Sequence, residues 1–314
     1  MKRSAGMTLL AFMLALSLGA LLLLLAVELL VVSYRSLRWQ AATVQLERAG
    51  DRALRLLGDE LRAAGFRAGA RSAPLPPAAP GCGAGDGWAL ALSPAIAFAD
   101  RGGSDALTLS DGAFPRCLPT ASLQQRSDLL ALRRTAFLPS ADRAGARRLR
   151  DTQWYLMVDA RGAGRFAYLG RNAGASDLGA GGDPAWEWRV SIFFVRSYSV
   201  TRGDGVPALC VERLLGARMR SQCLVEGVAR MHVEFAIDDD GDGMSDRVLA
   251  ALRQEELRTA TRATVYVHVR TLEALRVRRE ARVLQLGGET VHIPPGDPYL
   301  HRVFVRSVSL DNWS

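Results

Sequence analysis

Lys2 is the only lysine in this 314-residue chain, and no charged side chain stands between Arg3 and Glu28. The patterns H-E-x-x-H, G-x-S-x-G, G-x-x-x-x-G-K-[ST] and G-x-G-x-x-G are all missing. Their absence removes the sequence signatures of zincin proteases, α/β-hydrolases, P-loop nucleotidases and dinucleotide enzymes. Gly102-Gly103 and Gly181-Gly182 have no following helix and lysine, so neither pair is expected to cradle phosphate. The four histidines, His232, His268, His292 and His301, are dispersed. His232 and His268 fall in alternating strand patterns, where a surface histidine or a satisfied core histidine is the expected reading. No enzyme is expected from this set.

A net charge of +8 and a pI near 9.9 would suit a nucleic-acid binder. The positive charge, however, is almost all scattered arginine. Its local concentrations are Arg133-Arg134, Arg147-Arg148 and the stretch 276–282, none interleaved with stacking aromatics. Solvated faces are expected there, and nucleic acid is not an expected partner.

The N-terminus is where the sequence is most informative. It reads MKRSAG and then an uncharged run over 7–27. At ~1.5 Å per residue the run is about 32 Å long, enough to cross a hydrocarbon core. A secretory signal carries its small-residue cleavage site after a shorter apolar region. Here the small residue Gly6 comes first, so a cut at Gly6 leaves the apolar helix on the mature chain. Lys2 and Arg3 would hold the start in the cytoplasm and place the rest in the periplasm, with Glu28 emerging at the far interface.

Beyond the membrane run, 33–64 contains no proline and repeats apolar residues at Leu46, Ala49, Ala53, Leu57, Leu61 and Ala64. That spacing predicts an amphipathic helix continuous with the apolar one, a rod of ~85 Å over 8–64 stopped by Gly65. Residues 69–87 are rich in proline and glycine and predict a loop. Short strands are expected at 106–109, 129–133, 154–159, 165–169, 190–199, 208–213, 219–225, 228–237, 263–271, 283–286 and 303–310. In 263–271, Val265, Val267 and Val269 alternate with Tyr266, His268 and Arg270, the period of a half-buried strand. One long helix with many strands predicts an α+β fold, mainly antiparallel. The expected divisions are 1–6, 7–32, 33–65, a Pro/Gly-rich loop at 66–104 and a β-rich head at 105–314.

Cys82, Cys117, Cys210 and Cys223 all lie beyond the membrane run. In an oxidising periplasm they are expected as disulfides, and four cysteines allow three pairings. Cys210 with Cys223 is favoured, since the two lie nearly symmetrically about a turn at Gly216-Ala217, which leaves Cys82 with Cys117. A cysteine metal site is not expected, as no C-x-x-C spacing exists. The acidic stretch 238–246 reads DDDGDGMSD. It places Asp238, Asp240, Asp242 and Asp246 at positions 1, 3, 5 and 9 of a calcium-type loop, with Gly243 at 6. Leu249 stands where a bidentate glutamate closes an EF-hand, so the expectation is a Ca²⁺-binding hairpin turn between strands, set against a metal-free Asp/Gly turn.

Gly6-Met7-Thr8-Leu9-Leu10 resembles the cleavage box of type IV pilins and of type II secretion pseudopilins. The helix end at 54–67, the stretch 103–109 and the acidic turn are similar to PilW-type minor pilins. The resemblance implies cleavage after Gly6 by a prepilin peptidase, N-methylation of Met7, and a subunit that assembles through its helix. It also implies other minor pilins, the major pilin, the inner-membrane assembly platform and a tip adhesin as partners, with the pilus as the final location. The box departs from the family at Met7, which replaces phenylalanine, and at Ala11, which replaces a glutamate that neutralises a neighbouring subunit's N-terminal amine. That second departure points to a tip position. The alternatives are a type II secretion pseudopilin, disfavoured by the size of the head, and an uncleaved, membrane-anchored periplasmic binding or sensory protein.

Overall fold

The computed structural model describes residues 9–76, 87–100, 122–141, 149–169, 183–216, 218–250, 256–275 and 280–312. A single helix, α1, spans Leu9–Ala63. The chain divides into two compact units, Met1–Gln45 and Leu46–Ser314.

In the first unit the helix carries no charged side chain from Leu9 to Val27. Side chains from 11 to 41 are exposed except at Gly19, which is partly covered, and they include Phe12, Leu14, Leu18, Leu22, Leu25 and Leu29. This is the one helix among the described residues long and apolar enough to cross a membrane.

In the second unit the helical stripe is buried. Leu46, Ala53, Leu57, Leu61 and Ala64 are all removed from water, while Arg48, Arg52, Arg55 and Asp59 stay exposed. The compact unit therefore begins inside the helix, earlier than the expected boundary at 105. The helix stops because Gly65 takes φ +82°, a left-handed value that glycine adopts without strain. Its N–H donates to Arg133 O at 3.0 Å, and a Cβ there would meet Asn312 O.

Among the described residues thirteen strands follow: β1 Ile96–Ala99, β2 Leu129–Thr135, β3 Gln153–Val158, β4 Gly164–Leu169, β5 Ala185–Arg196, β6 Ala208–Leu215, β7 Arg218–Glu226, β8 Val228–Ile237, β9 Arg247–Leu249, β10 Ala260–Arg270, β11 Arg282–Leu286, β12 Glu289–Ile293 and β13 His301–Ser309. All pair antiparallel, in a seven-stranded sheet (β1-β2-β5-β3-β4, with β6 on β5 and β7 on β6), a four-stranded sheet (β13-β10-β8-β9) and the hairpin β11–β12.

Because strand side chains alternate in direction, the large sheet feeds two cores. Leu130, Leu132, Phe193, Val195, Leu209 and Val211 join the α1 stripe and Val233, Phe235, Val265, Val267 and Val269 of the four-stranded sheet. Leu129, Val190, Ile192 and Phe194 face a second core containing Trp88, Trp154, Phe166 and Trp188. Two of the buried indoles donate to backbone carbonyls, Trp188 Nε1 to Ala89 O at 2.8 Å and Trp154 Nε1 to Gly216 O at 3.0 Å.

Three expectations need correction. The 66–104 segment is not loop throughout: Ile96–Ala99 pairs with β2 in the register Ile96↔Leu132. Four residues are too short to show a period, and the neighbouring strand recruits them. The hairpin strand Glu289–Ile293 was not expected; it follows Gly287 at φ +61°. Arg133 and Arg134 are not solvated. Arg133 is 1% exposed, stacks over Trp88 and bonds Pro94 O, and burial pulls its pKa down to about 10. Arg134 makes a two-pronged ion pair with Glu60 of α1, at 2.7 and 3.0 Å. The expected strand at 106–109 lies outside the described residues.

β13 crosses α1 at Gly50, where an added Cβ would sit 2.3 Å from the Phe304 ring. Alanine gains about 1 kcal/mol over glycine in a helix interior. Overpacking costs about 1–3 kcal/mol. With the ring that close, the clash should win. Gly50→Ala is expected to lower the unfolding free energy in denaturant titration by about 1 kcal/mol, and Phe304→Leu to restore part of the loss.

Candidate functional site

Four features carry chemistry: the apolar helix, the acidic turn, a buried ionic cluster and a histidine pair. On the helix, Ala11 is exposed; Gly6, Met7 and Thr8 lie outside the described residues.

The acidic turn joins β8 to β9, closed by the pair Ile237↔Arg247. Gly241 N and Gly243 N donate to the two oxygens of Asp238, at 2.7 and 2.9 Å. Asp242 N donates to Asp240, and Met244 N to Asp242. Gly241 and Gly243 take φ of +81° and +87°, which lets the backbone fold around the carboxylates. Carboxylate oxygens of Asp238, Asp240 and Asp242 come within 4.8 Å of one another. Asp246 is not among them: its carboxylate accepts from Asp239 N at 2.8 Å. Asp239 turns away to Arg247, at 2.6 and 2.9 Å, and that guanidinium holds its carboxyl below the usual range.

A disulfide joins Cys210 of β6 to Cys223 of β7, directly opposite in register. Cys82 and Cys117 lie outside the described residues.

His232, on β8, is wholly buried beside the equally buried Asp128. Its Nδ1 lies 3.0 Å from Asp128 Oδ2 and 3.6 Å from Glu289 Oε1; its Nε2 lies 3.7 Å from Glu234 Oε1. Asp128 Oδ2 also accepts from Val233 N at 2.9 Å. Glu234 is fixed by Tyr266 Oη at 3.0 Å and Gly288 N at 2.7 Å. Burial pushes the Tyr266 hydroxyl up to about 12, with Glu234 adding to it, so it stays a donor. Burial likewise raises the Glu289 carboxyl, helped by Asp128. Sequence reading took His232 for a satisfied or surface histidine. The one local sign was Arg230, His232 and Glu234 sharing a face of β8; the other carboxylates arrive from distant segments.

His268 and His301 form a relay on the neighbouring strands. His301 Nε2 lies 3.0 Å from Asp297 Oδ1, and His301 Nδ1 lies 2.9 Å from His268 Nε2. A carboxylate only accepts, so His301 donates from Nε2 and accepts at Nδ1 from His268. Burial, with the adjoining His301, Arg230 and Arg270, pulls His268 down to about 3. A histidine whose folded pKa lies below its unfolded value of ~6.5 stabilises the fold above that value and loses the contribution as pH falls. Unfolding free energy should therefore decline from pH ~6.5 toward 3, by at most ~1.4 kcal/mol per unit for this one proton. His268→Gln, which keeps a donor, should flatten that acid limb in denaturant titrations across the range.

The family model for type IV pilus-assembly protein W (PilW) matches residues 192–312. No curated protein and no solved structure matches the chain. The matched stretch begins within β5 and runs through β13, taking in the disulfide, the acidic turn, His232 and the histidine relay. The family it matches is one of pilus assembly and is not a known enzyme family. Over residues 192–312, then, the chain is similar to PilW-type pilus-assembly proteins.

Proposed function

We propose that the chain is a minor pilin that primes or caps a type IV pilus. The observation that carries this reading is an apolar helix exposed on all sides, in a chain whose 192–312 segment is of PilW type. Such a surface needs lipid or other apolar helices around it. In this reading the prepilin peptidase cuts after Gly6, Met7 is N-methylated, and the helix waits in the inner membrane with its start cytoplasmic and the head periplasmic. Leaving the membrane exchanges lipid contact for helix–helix packing, and Ala15, Gly19 and Ala20 are small enough for close approach.

The partners are then other minor pilins, the major pilin, the assembly platform and the tip adhesin. The head supplies the lateral contacts, and its acidic turn holds Ca²⁺ through Asp238, Asp240 and Asp242. Thr8 and Ala11 fall at the assembly end of the helix. Ala11 offers no carboxylate to a neighbour's N-terminal amine, which suits a subunit at the tip rather than in mid-fibre.

Deleting the chain should reduce surface fibres, counted by electron microscopy or in the sheared fraction, and the wild-type copy should restore them. A complementing Ala11→Glu copy should restore them as well. Normal piliation in the deletion strain would contradict the assembly role. Loss of fibres with Ala11→Glu alone would contradict the tip position.

A further inference from the structure

We infer that Asp100, Asp128, His232 and Glu289 form a structural binding site for a divalent transition metal of the zinc class, joining the three sheets of the head. The four ligand atoms lie within 4.8 Å of one another. They come from four separate segments: the residue after β1, the residue before β2, the middle of β8 and the start of β12. One ion bound here would fasten the β11–β12 hairpin and the four-stranded sheet to the β1–β2 edge of the seven-stranded sheet.

The donor set indicates the class of ion. Three carboxylates and one imidazole suit zinc and its neighbours, whereas calcium takes oxygen ligands alone. Metal–ligand bonds of about 2.0–2.2 Å in a tetrahedron put ligand atoms roughly 3.4 Å apart. His232 Nδ1 already stands 3.0 and 3.6 Å from Asp128 and Glu289.

Charge points the same way. Asp128 is fully buried and Glu234 and Glu289 are mostly so, while Arg230 reaches Glu289 only at 3.8 Å. Each buried carboxylate costs several kcal/mol unless a positive charge and hydrogen bonds offset it. A dication at the meeting point supplies that charge.

The imidazole gives an independent reason. His232 Nε2 is buried without a hydrogen-bond partner. If the ring's proton sits on Nδ1 toward Asp128, the bare Nε2 faces the fixed carboxylate of Glu234. An ion on Nδ1 moves the proton to Nε2, where it points at Glu234 Oε1, 3.7 Å away. A ligating histidine that presents its second nitrogen to a carboxylate is the usual supporting arrangement. The cluster is separate from the acidic turn, whose three carboxylates include no imidazole.

The test uses the full chain, purified in detergent without a histidine tag, stripped with chelator, reloaded with zinc and dialysed. Elemental analysis should find one zinc per chain, and zinc should raise the thermal midpoint. Glu289→Gln and Asp100→Asn, the latter at an exposed position, should each weaken zinc binding by at least about tenfold in calorimetry. Asp240→Asn, in the acidic turn, should leave it unchanged. The site is refuted if no zinc is retained, if Asp240→Asn removes it, or if neither Glu289→Gln nor Asp100→Asn changes its affinity.

Discussion

The head is organised on one apolar stripe of α1. Leu46, Leu57 and Leu61 with Ala53 and Ala64 form the floor on which strands of both larger sheets close. Each fully buried leucine contributes roughly 1.5–3 kcal/mol, so this line of contacts is a large share of a marginal stability. The same helix has no such partner surface over 11–41, where nearly every described side chain is exposed and most are apolar. One secondary-structure element therefore serves two solvents. Its second part is satisfied by the head, and its first part requires lipid or other helices.

Around that stripe, antiparallel alternation lets one seven-stranded sheet serve two cores at once, one face on the helix and the other on the tryptophan-rich core. The interior also carries charge. The Glu60–Arg134 pair locks α1 to β2 with two hydrogen bonds, and removing one partner of such a pair costs more than the pair itself contributes. Asp128, His232, Glu234 and Glu289 place a second group of charges where the sheets meet, and the His268–His301–Asp297 chain a third. Buried polar groups of this kind fix register and orientation when all their atoms are paired. His232 Nε2 is one of several buried atoms without a partner, and the metal site gives it a role.

Much of this was legible in the chain. α1 was readable over its length because its signals, an uncharged run followed by a three-to-four spacing and a terminal glycine, are long and local. β8 coincides with the expected 228–237, and Val265, Val267 and Val269 are buried as their alternation required. Illegible features were those set by distant partners. β1 is a strand only because β2 lies beside it. Arg133 and Arg134 look solvated in a string of letters, yet Glu60 is 74 residues upstream of Arg134. Asp246 fits the calcium spacing, but its carboxylate goes to the nearer Asp239 N–H. The His232 cluster left almost no trace, since its ligands are spread from Asp100 to Glu289.

The central claim is that the exposed helix belongs to a pilin assembly system, and the fate of the bond after Gly6 tests it most directly. The measurement is the intact mass and N-terminal peptide of the membrane-extracted protein, from cells with and without the prepilin peptidase. The account predicts a chain beginning at Met7 and carrying one added methyl group, found only when the peptidase is present. A chain that keeps Met1 in both strains would contradict it and leave a folded head on a permanent membrane anchor.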